Sequence, residues 1–122
     1  MNQKEKALLI SDLCARLPYG VIMGNKTLKE TSYRLSGQDI DDAEFDDKFD
    51  DVPYLRPMSS MTKKEYEELK EISPYYGFAS FKYIYDWAPN YEMIDWLNVH
   101  HFDYRGLIEK GLAIEAPSDM YK

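Results

Sequence analysis

Thirteen consecutive residues, Asp39 to Asp51, hold eight carboxylates and one lysine. The acids are Asp39, Asp41, Asp42, Glu44, Asp46, Asp47, Asp50 and Asp51; the base is Lys48. That segment carries −7, which is also the charge of the whole chain, so the remaining acids and bases balance. Unpaired charges cost several kcal/mol each to bury, on the order of what a whole domain has to spare, so this stretch must lie at the surface. Aspartate is also a poor helix-interior residue, because its short side chain competes for backbone hydrogen bonds. Ile40, Phe45, Phe49 and Val52 are its apolar anchors, and the last three also suit one face of a helix. The composition favours short strands joined by acidic turns, with residues 39–51 as a mobile loop or a sheet edge.

A patch of this sign repels phosphate backbones, which argues against nucleic acid as a ligand. It suits a basic protein partner, with Asp41, Asp42, Asp46, Asp47, Asp50 and Asp51 as the candidate contacts. It also suits two other roles: a nucleic-acid mimic, or a solvated loop that keeps the chain soluble. Calcium fits poorly. An EF-hand loop needs oxygen ligands at positions 1, 3, 5 and 12 and glycine at 6. Counting from Asp39 puts Ala43 at position 5 and Glu44 at 6; counting from Asp42 puts Pro53 at 12. Neither register works, and no metal or cofactor is expected.

The other 109 residues are ordinary for a folded domain. The chain has 122 residues, of which 44% are hydrophobic and 15% aromatic, enough for one domain with its own core. No apolar run approaches the roughly 20 residues of a membrane helix. The start has neither the apolar stretch nor the small-residue cleavage site of a secretory signal. The single cysteine, Cys14, excludes an internal disulfide, and the expected compartment is a reducing cytoplasm.

A helix is expected over Gln3 to Leu17, with Ile10, Leu13, Cys14 and Leu17 on its apolar face and Cys14 a buried thiol. Pro18-Tyr19-Gly20 ends it. Val21 to Met23 and Thr27 to Leu35 read as a hairpin or meander around Gly24-Asn25. Pro53 to Pro57 is extended. Thr62 and Glu65 form a capping box, and Met61 and Tyr66 a hydrophobic staple, for a helix running to Ile72. Tyr75 to Tyr104 holds 11 of the 18 aromatics, and Phe81, Tyr83, Tyr85 and Trp87 alternate as on a strand. Asn90 caps a helix bearing Met93, Trp96, Leu97 and His100 on one stripe. Asp103 caps a short second helix that ends at Gly111. Leu112 to Ile114 is a brief strand, and residues 117–122 form a loose tail.

The densest polar group is His100, His101, Asp103 and Arg105. These are the candidate catalytic or metal-binding residues, since imidazole and carboxylate are the usual general bases and zinc ligands. Their spacing opposes an easy chelate. Neighbouring helical residues point about 100° apart, whereas helical zinc ligands stand three or four residues apart. Packing of His100 on Trp96 and Leu97, with His101 and Asp103 managing the turn, is the competing account. Arg56 and Arg105 suit carboxylate partners inside the fold, or an anionic ligand gripped by the guanidinium fork, the first being favoured. The second of the last two helical stretches brings only Arg105, Glu109 and Lys110 as charged contacts, too few cations for a DNA-reading helix. No G-x-S-x-G, H-E-x-x-H, C-x-x-C or P-loop occurs.

Three segments carry a resemblance: Leu13 to Val21 (LCARLPYGV), Pro53 to Thr62 (PYLRPMSSMT), and Asp95 to Ala113 with Asp-Trp-Leu-Asn and His-His-Phe-Asp-Tyr-Arg-Gly-Leu-Ile-Glu-Lys-Gly-Leu-Ala. Together, over about half the chain, they resemble a group of small uncharacterised proteins from gut-bacterial genomes and their prophages. The resemblance implies a mobile-element setting and no particular activity. The expectation is therefore one α+β domain: an N-terminal helix, a small antiparallel sheet and C-terminal helices. Its function is to bind another protein, with a small enzyme at His100, His101 and Asp103, or a nucleic-acid mimic, as the alternatives.

Overall fold

The computed structural model describes residues 1–27, 32–46, 48–72 and 91–121. Helix α1 spans Gln3–Arg16. Asn2 caps it, accepting from the Glu5 amide at 2.8 Å while Glu5 accepts from the Asn2 amide at 3.0 Å. A 3-10 turn, Leu17–Tyr19, then leads to Gly20, whose φ of 72° turns the chain into the sheet.

The sheet has four strands in the order β2-β1-β3-β4. Strand β1 (Ile22–Asn25) pairs antiparallel with β2 (Ser32–Arg34) and with β3 (Asp51–Leu55). Strand β4 (Ile114–Glu115) pairs parallel with β3, so the sheet is mixed rather than purely antiparallel. β4 meets only Tyr54 and Leu55, leaving Pro53 at an edge on that side, where proline is tolerated. Gly24 sits against the Tyr54 ring, and a Cβ there would collide with it.

Between β2 and β3 lies helix α2 (Gly37–Phe45), where acidic turns and strands were expected. The decisive feature is a second capping box. Ser36 Oγ accepts from the Asp39 amide, and Asp39 accepts from the Ser36 amide at 2.8 Å. Carboxylates in a first turn also face the positive end of the helix dipole. The aspartate penalty thus becomes a gain at the position that nucleates the helix.

Helix α3 (Lys63–Ile72) starts as expected: Glu65 N donates to Thr62 Oγ1 at 3.1 Å and Thr62 N to Glu65 Oε1 at 2.9 Å. Helix α4 (Tyr91–Val99) buries Met93 and Leu97, as its stripe implied. The aromatic segment 75–90, with its alternating Phe81 to Trp87, lies outside the described residues, as does residue 47.

α4 ends in a Schellman motif, in which Phe102 N donates to Leu97 O and His101 N to Asn98 O. His101 therefore takes the left-handed position, with φ of 62°. The same pattern recurs with Leu112 N to Leu107 O and Gly111 N to Ile108 O, and there the residue is glycine, φ 75°. Residues 104–111 form turns, not the short helix expected. Asp103 nonetheless holds amides, accepting from Leu107 N at 2.8 Å and Ile108 N at 2.9 Å.

Two apolar clusters form the core. One joins α1, the sheet and residues 107–113 through Leu9, Leu13, Val21, Met23, Val52, Leu55 and Leu107. The other joins α3 and α4 through Leu69, Met93, Leu97, Phe102 and Tyr104. Each fully buried side chain of this size contributes about 1.5–3 kcal/mol.

Cys14 is exposed, not buried. The buried stripe of α1 is Leu9, Asp12, Leu13 and Arg16, offset from the apolar stripe because two of its members are charged. The tail is not loose. Ala116 N donates to Leu55 O, and the Tyr121 hydroxyl donates to Tyr54 O at 2.6 Å while accepting from Ile22 N at 3.0 Å.

Candidate functional site

Ala43 is buried and Ile40 half-buried on the inner face of α2, which packs on α1. Phe45, two residues past Ala43, points about 200° round the helix from it. It is 78% exposed, a large aromatic in open solvent. Asp41, Asp42, Glu44 and Asp46 surround it in sequence and are all exposed. Asp42 accepts from Gln38 Nε2 at 3.1 Å, and Asp46 from the Lys48 amide at 2.9 Å.

Three other acids of the run, Asp39, Asp50 and Asp51, are structural. Asp39 caps α2. Asp50 and Asp51 accept from Asn25 Nδ2 at 2.8 and 3.0 Å. Asp51 also accepts from the Tyr33 hydroxyl at 2.7 Å. Burial and that bond to an anion push the Tyr33 phenol well above its usual range. The seven described carboxylates thus do not form one open row: α2 presents an acidic face, and the entry to β3 holds a hydrogen-bonded knot. Asp47 lies outside the described residues.

Next to α2 an open cleft of about 770 Å³ runs between α1, α2 and the turn at Gly111. Leu9, Ile10, Val52 and Leu112 line it with Lys6, Lys26, Lys110, Glu44 and Asp50, a mixture of both charges.

The four candidates of the second charged stretch are not brought together. Arg105 Nε lies 3.1 Å from Asp12 Oδ1, without hydrogen-bond alignment. Asp12 Oδ2 accepts from Arg16 Nε at 2.7 Å, with both side chains fully buried. Arg16 Nη2 donates to Phe102 O at 2.8 Å. Both guanidiniums lie over the Tyr104 ring, at 5.2 and 5.3 Å from its centroid. Asp103 is spent on the turn at 107–108. His101 stacks on Tyr121, ring centroids 3.7 Å apart. Burial above all, and the guanidinium charges of Arg16 and Arg56, hold its pKa down at about 4.

His100 is partly exposed, its ring 4.2 Å from that of Trp96 and tilted 42° to it, the contact its spacing implied. It joins a second cleft, of about 430 Å³, with Arg56, Thr62, Glu65, Ser118 and Tyr121. Arg56 grips Glu65 with two bonds of 2.7 Å and lies 4.1 Å over the Phe102 ring. That bidentate bond holds the Glu65 carboxyl down at about 2. The His100 Nδ1 atom is 3.7 Å from Glu65 Oε2. Both arginines singled out from the sequence have therefore found carboxylates, as expected of guanidiniums in apolar settings.

Among the described residues, no group of three or more His, Cys, Asp or Glu is placed to hold a metal ion. None of the described helices is long and apolar enough to cross a membrane. Asp12, Arg16, Phe45, Glu65 and Tyr121 were not in the sequence-derived site set. Asp12 and Arg16 signal themselves as an i, i+4 acid–base pair, and Phe45 only once α2 is read as a helix. Comparison of the chain with protein-family models, with curated proteins and with solved structures found no match.

Proposed function

We propose that this chain is a non-enzymatic accessory protein that binds a basic protein partner through the outer face of α2. The observation that carries the reading is Phe45, 78% exposed in the middle of a run of acids. An aromatic anchor ringed by charge is the usual make-up of an interaction hot spot. The carboxylates steer a basic partner to the face, and the ring supplies the apolar contact. Two copies of the chain would set acid against acid here, so the partner is a different protein. The resemblance to gut-bacterial and prophage proteins supports a mobile-element or host accessory role. The single cysteine supports action in a reducing cytoplasm.

The test is capture from host lysate by wild type, by Phe45→Ser, and by a variant carrying Asp41→Asn, Asp42→Asn, Glu44→Gln and Asp46→Asn. Wild type retains one stoichiometric basic protein at low salt. Both variants lose it, and moderate salt weakens it, because exposed charges are screened beyond about 8–10 Å. Retention of the same proteins by all three chains overturns the proposal.

A further inference from the structure

The cleft at His100 is assembled from four separate parts of the chain: Arg56 beyond β3, Thr62 and Glu65 at the start of α3, His100 at the end of α4, and Ser118 and Tyr121 from the C-terminal segment. Its volume, about 430 Å³, falls within the range of small-molecule sites, roughly 300–1,000 Å³. The backbone is bent to build it. His101 holds a positive φ of 62° at a position that elsewhere in this chain is given to Gly111. That turn sends two consecutive histidines different ways, His100 into the cleft and His101 onto the Tyr121 ring. A non-glycine residue held in this conformation is a local cost that tends to collect at functional sites.

The charges in the cleft say what kind of ligand it takes. Glu65 and Arg56 hold each other in a bidentate pair, so neither charge is left open to a ligand. What remains for a ligand is hydrogen bonding from the hydroxyls of Thr62 and Ser118 and the imidazole of His100. Tyr121 lines the cleft beside them, one face of its ring stacked on His101. Neighbouring hydroxyls with an aromatic face complement a small ring that carries hydroxyls on its rim and C–H groups on its faces.

We propose that this cleft binds a neutral polyhydroxylated ligand of about monosaccharide size, with His100 and Ser118 as hydrogen-bonding residues. The site is separate from α2 and does not rest on the partner-binding proposal.

The experiment is an NMR titration that follows the ring signals of His100 and Tyr121 and the amides of Thr62 and Ser118. The probes are glucose, galactose and N-acetylglucosamine, with inorganic phosphate and methylammonium as charged controls at constant ionic strength. At least one sugar gives saturable shifts at these residues in the millimolar range, and the charged probes do not. Ser118→Ala and His100→Ala each weaken binding about fivefold, the effect of one hydrogen bond, while the fold stays intact by far-UV circular dichroism. Phe45→Ser leaves binding unchanged. Absence of saturable shifts with all three sugars overturns the proposal. So does binding of phosphate or methylammonium in the cleft as tightly as a sugar, or binding that Ser118→Ala and His100→Ala leave intact.

Discussion

Residues 39–51 and residues 100–105 are the two polar stretches that supplied the candidate site residues, and they use their charge in opposite ways. In the first, Asp41, Asp42, Glu44 and Asp46 face solvent around an exposed Phe45. In the second, His101, Asp103 and Arg105 turn inward onto Tyr121, the 107–108 amides and Asp12. Charge density alone therefore does not mark a site. What separates the two is whether oppositely charged or hydrogen-bonding partners lie within reach in the fold. The acids of α2 have few such partners; at 100–105, Asp103 has the 107–108 amides and Arg105 has Asp12, while His101 stacks on Tyr121 with its Nδ1 atom unbonded.

The sharpest way to break this contrast is at Asp12. Asp12→Ala strands Arg16 in the interior, and loss of one partner of a buried pair costs about 3–5 kcal/mol. Denaturant unfolding should show that loss, and a change under 1 kcal/mol would mean that the inner network is not structural.

Acid should separate the regions next. His101 is held at about 4 in the fold against 6.5 when free. The unfolded chain thus binds the proton more readily, and stability falls as pH drops from about 6.5 to 4. At 1.36 kcal/mol per pH unit the full effect is roughly 3 kcal/mol. His101→Phe, which retains a ring against Tyr121, should flatten the pH dependence in that window. Glu65, held at about 2, adds its own loss only lower, between about 4.5 and 2. An unchanged slope in His101→Phe would contradict the assignment.

A smaller effect is expected at the tail. Tyr121→Phe removes the hydroxyl that bridges Ile22 and Tyr54, at about 1–2 kcal/mol for the two backbone groups left unpaired. Equal stability of the variant and wild type would restore the expectation of a loose tail.

The smallest effect belongs to α2. Neutralising Asp41, Asp42, Glu44 and Asp46 should change stability by less than about 0.5 kcal/mol, as for surface positions without structural partners, while removing partner binding. A destabilisation of several kcal/mol would place these acids with the inner network instead.

Much of the fold could be read from local signals. The Thr62–Glu65 capping box, the stripe of α4 and the stop at Gly20 each rest on a few neighbouring residues whose chemistry admits one local structure. α2 was legible in principle, through Ser36 and Asp39, but the aspartate count outweighed the cap. The stripe of α1 was displaced because an apolar count cannot include Asp12 and Arg16, and their burial depends on Arg105 and Phe102, some ninety residues away in sequence. For the same reason Arg56 could be given a carboxylate partner from its apolar setting, while the identity of that partner, Glu65, needed the fold. Phe45 was the hardest to read. Exposure of a phenylalanine follows from which side of a helix it lies on, and that required the helix first.

The most direct test of partner binding at α2 is site-specific photocrosslinking. A benzophenone side chain replaces Phe45 in one variant and Val99, the 46%-exposed residue at the end of α4, in the other. Both are exposed to host lysate under identical conditions. Binding through α2 predicts one dominant adduct with a basic protein from position 45, lost on neutralising Asp41, Asp42, Glu44 and Asp46, and no matching adduct from position 99. Adducts of equal pattern from both positions, or an adduct at 45 that survives neutralisation of the acids, would contradict it.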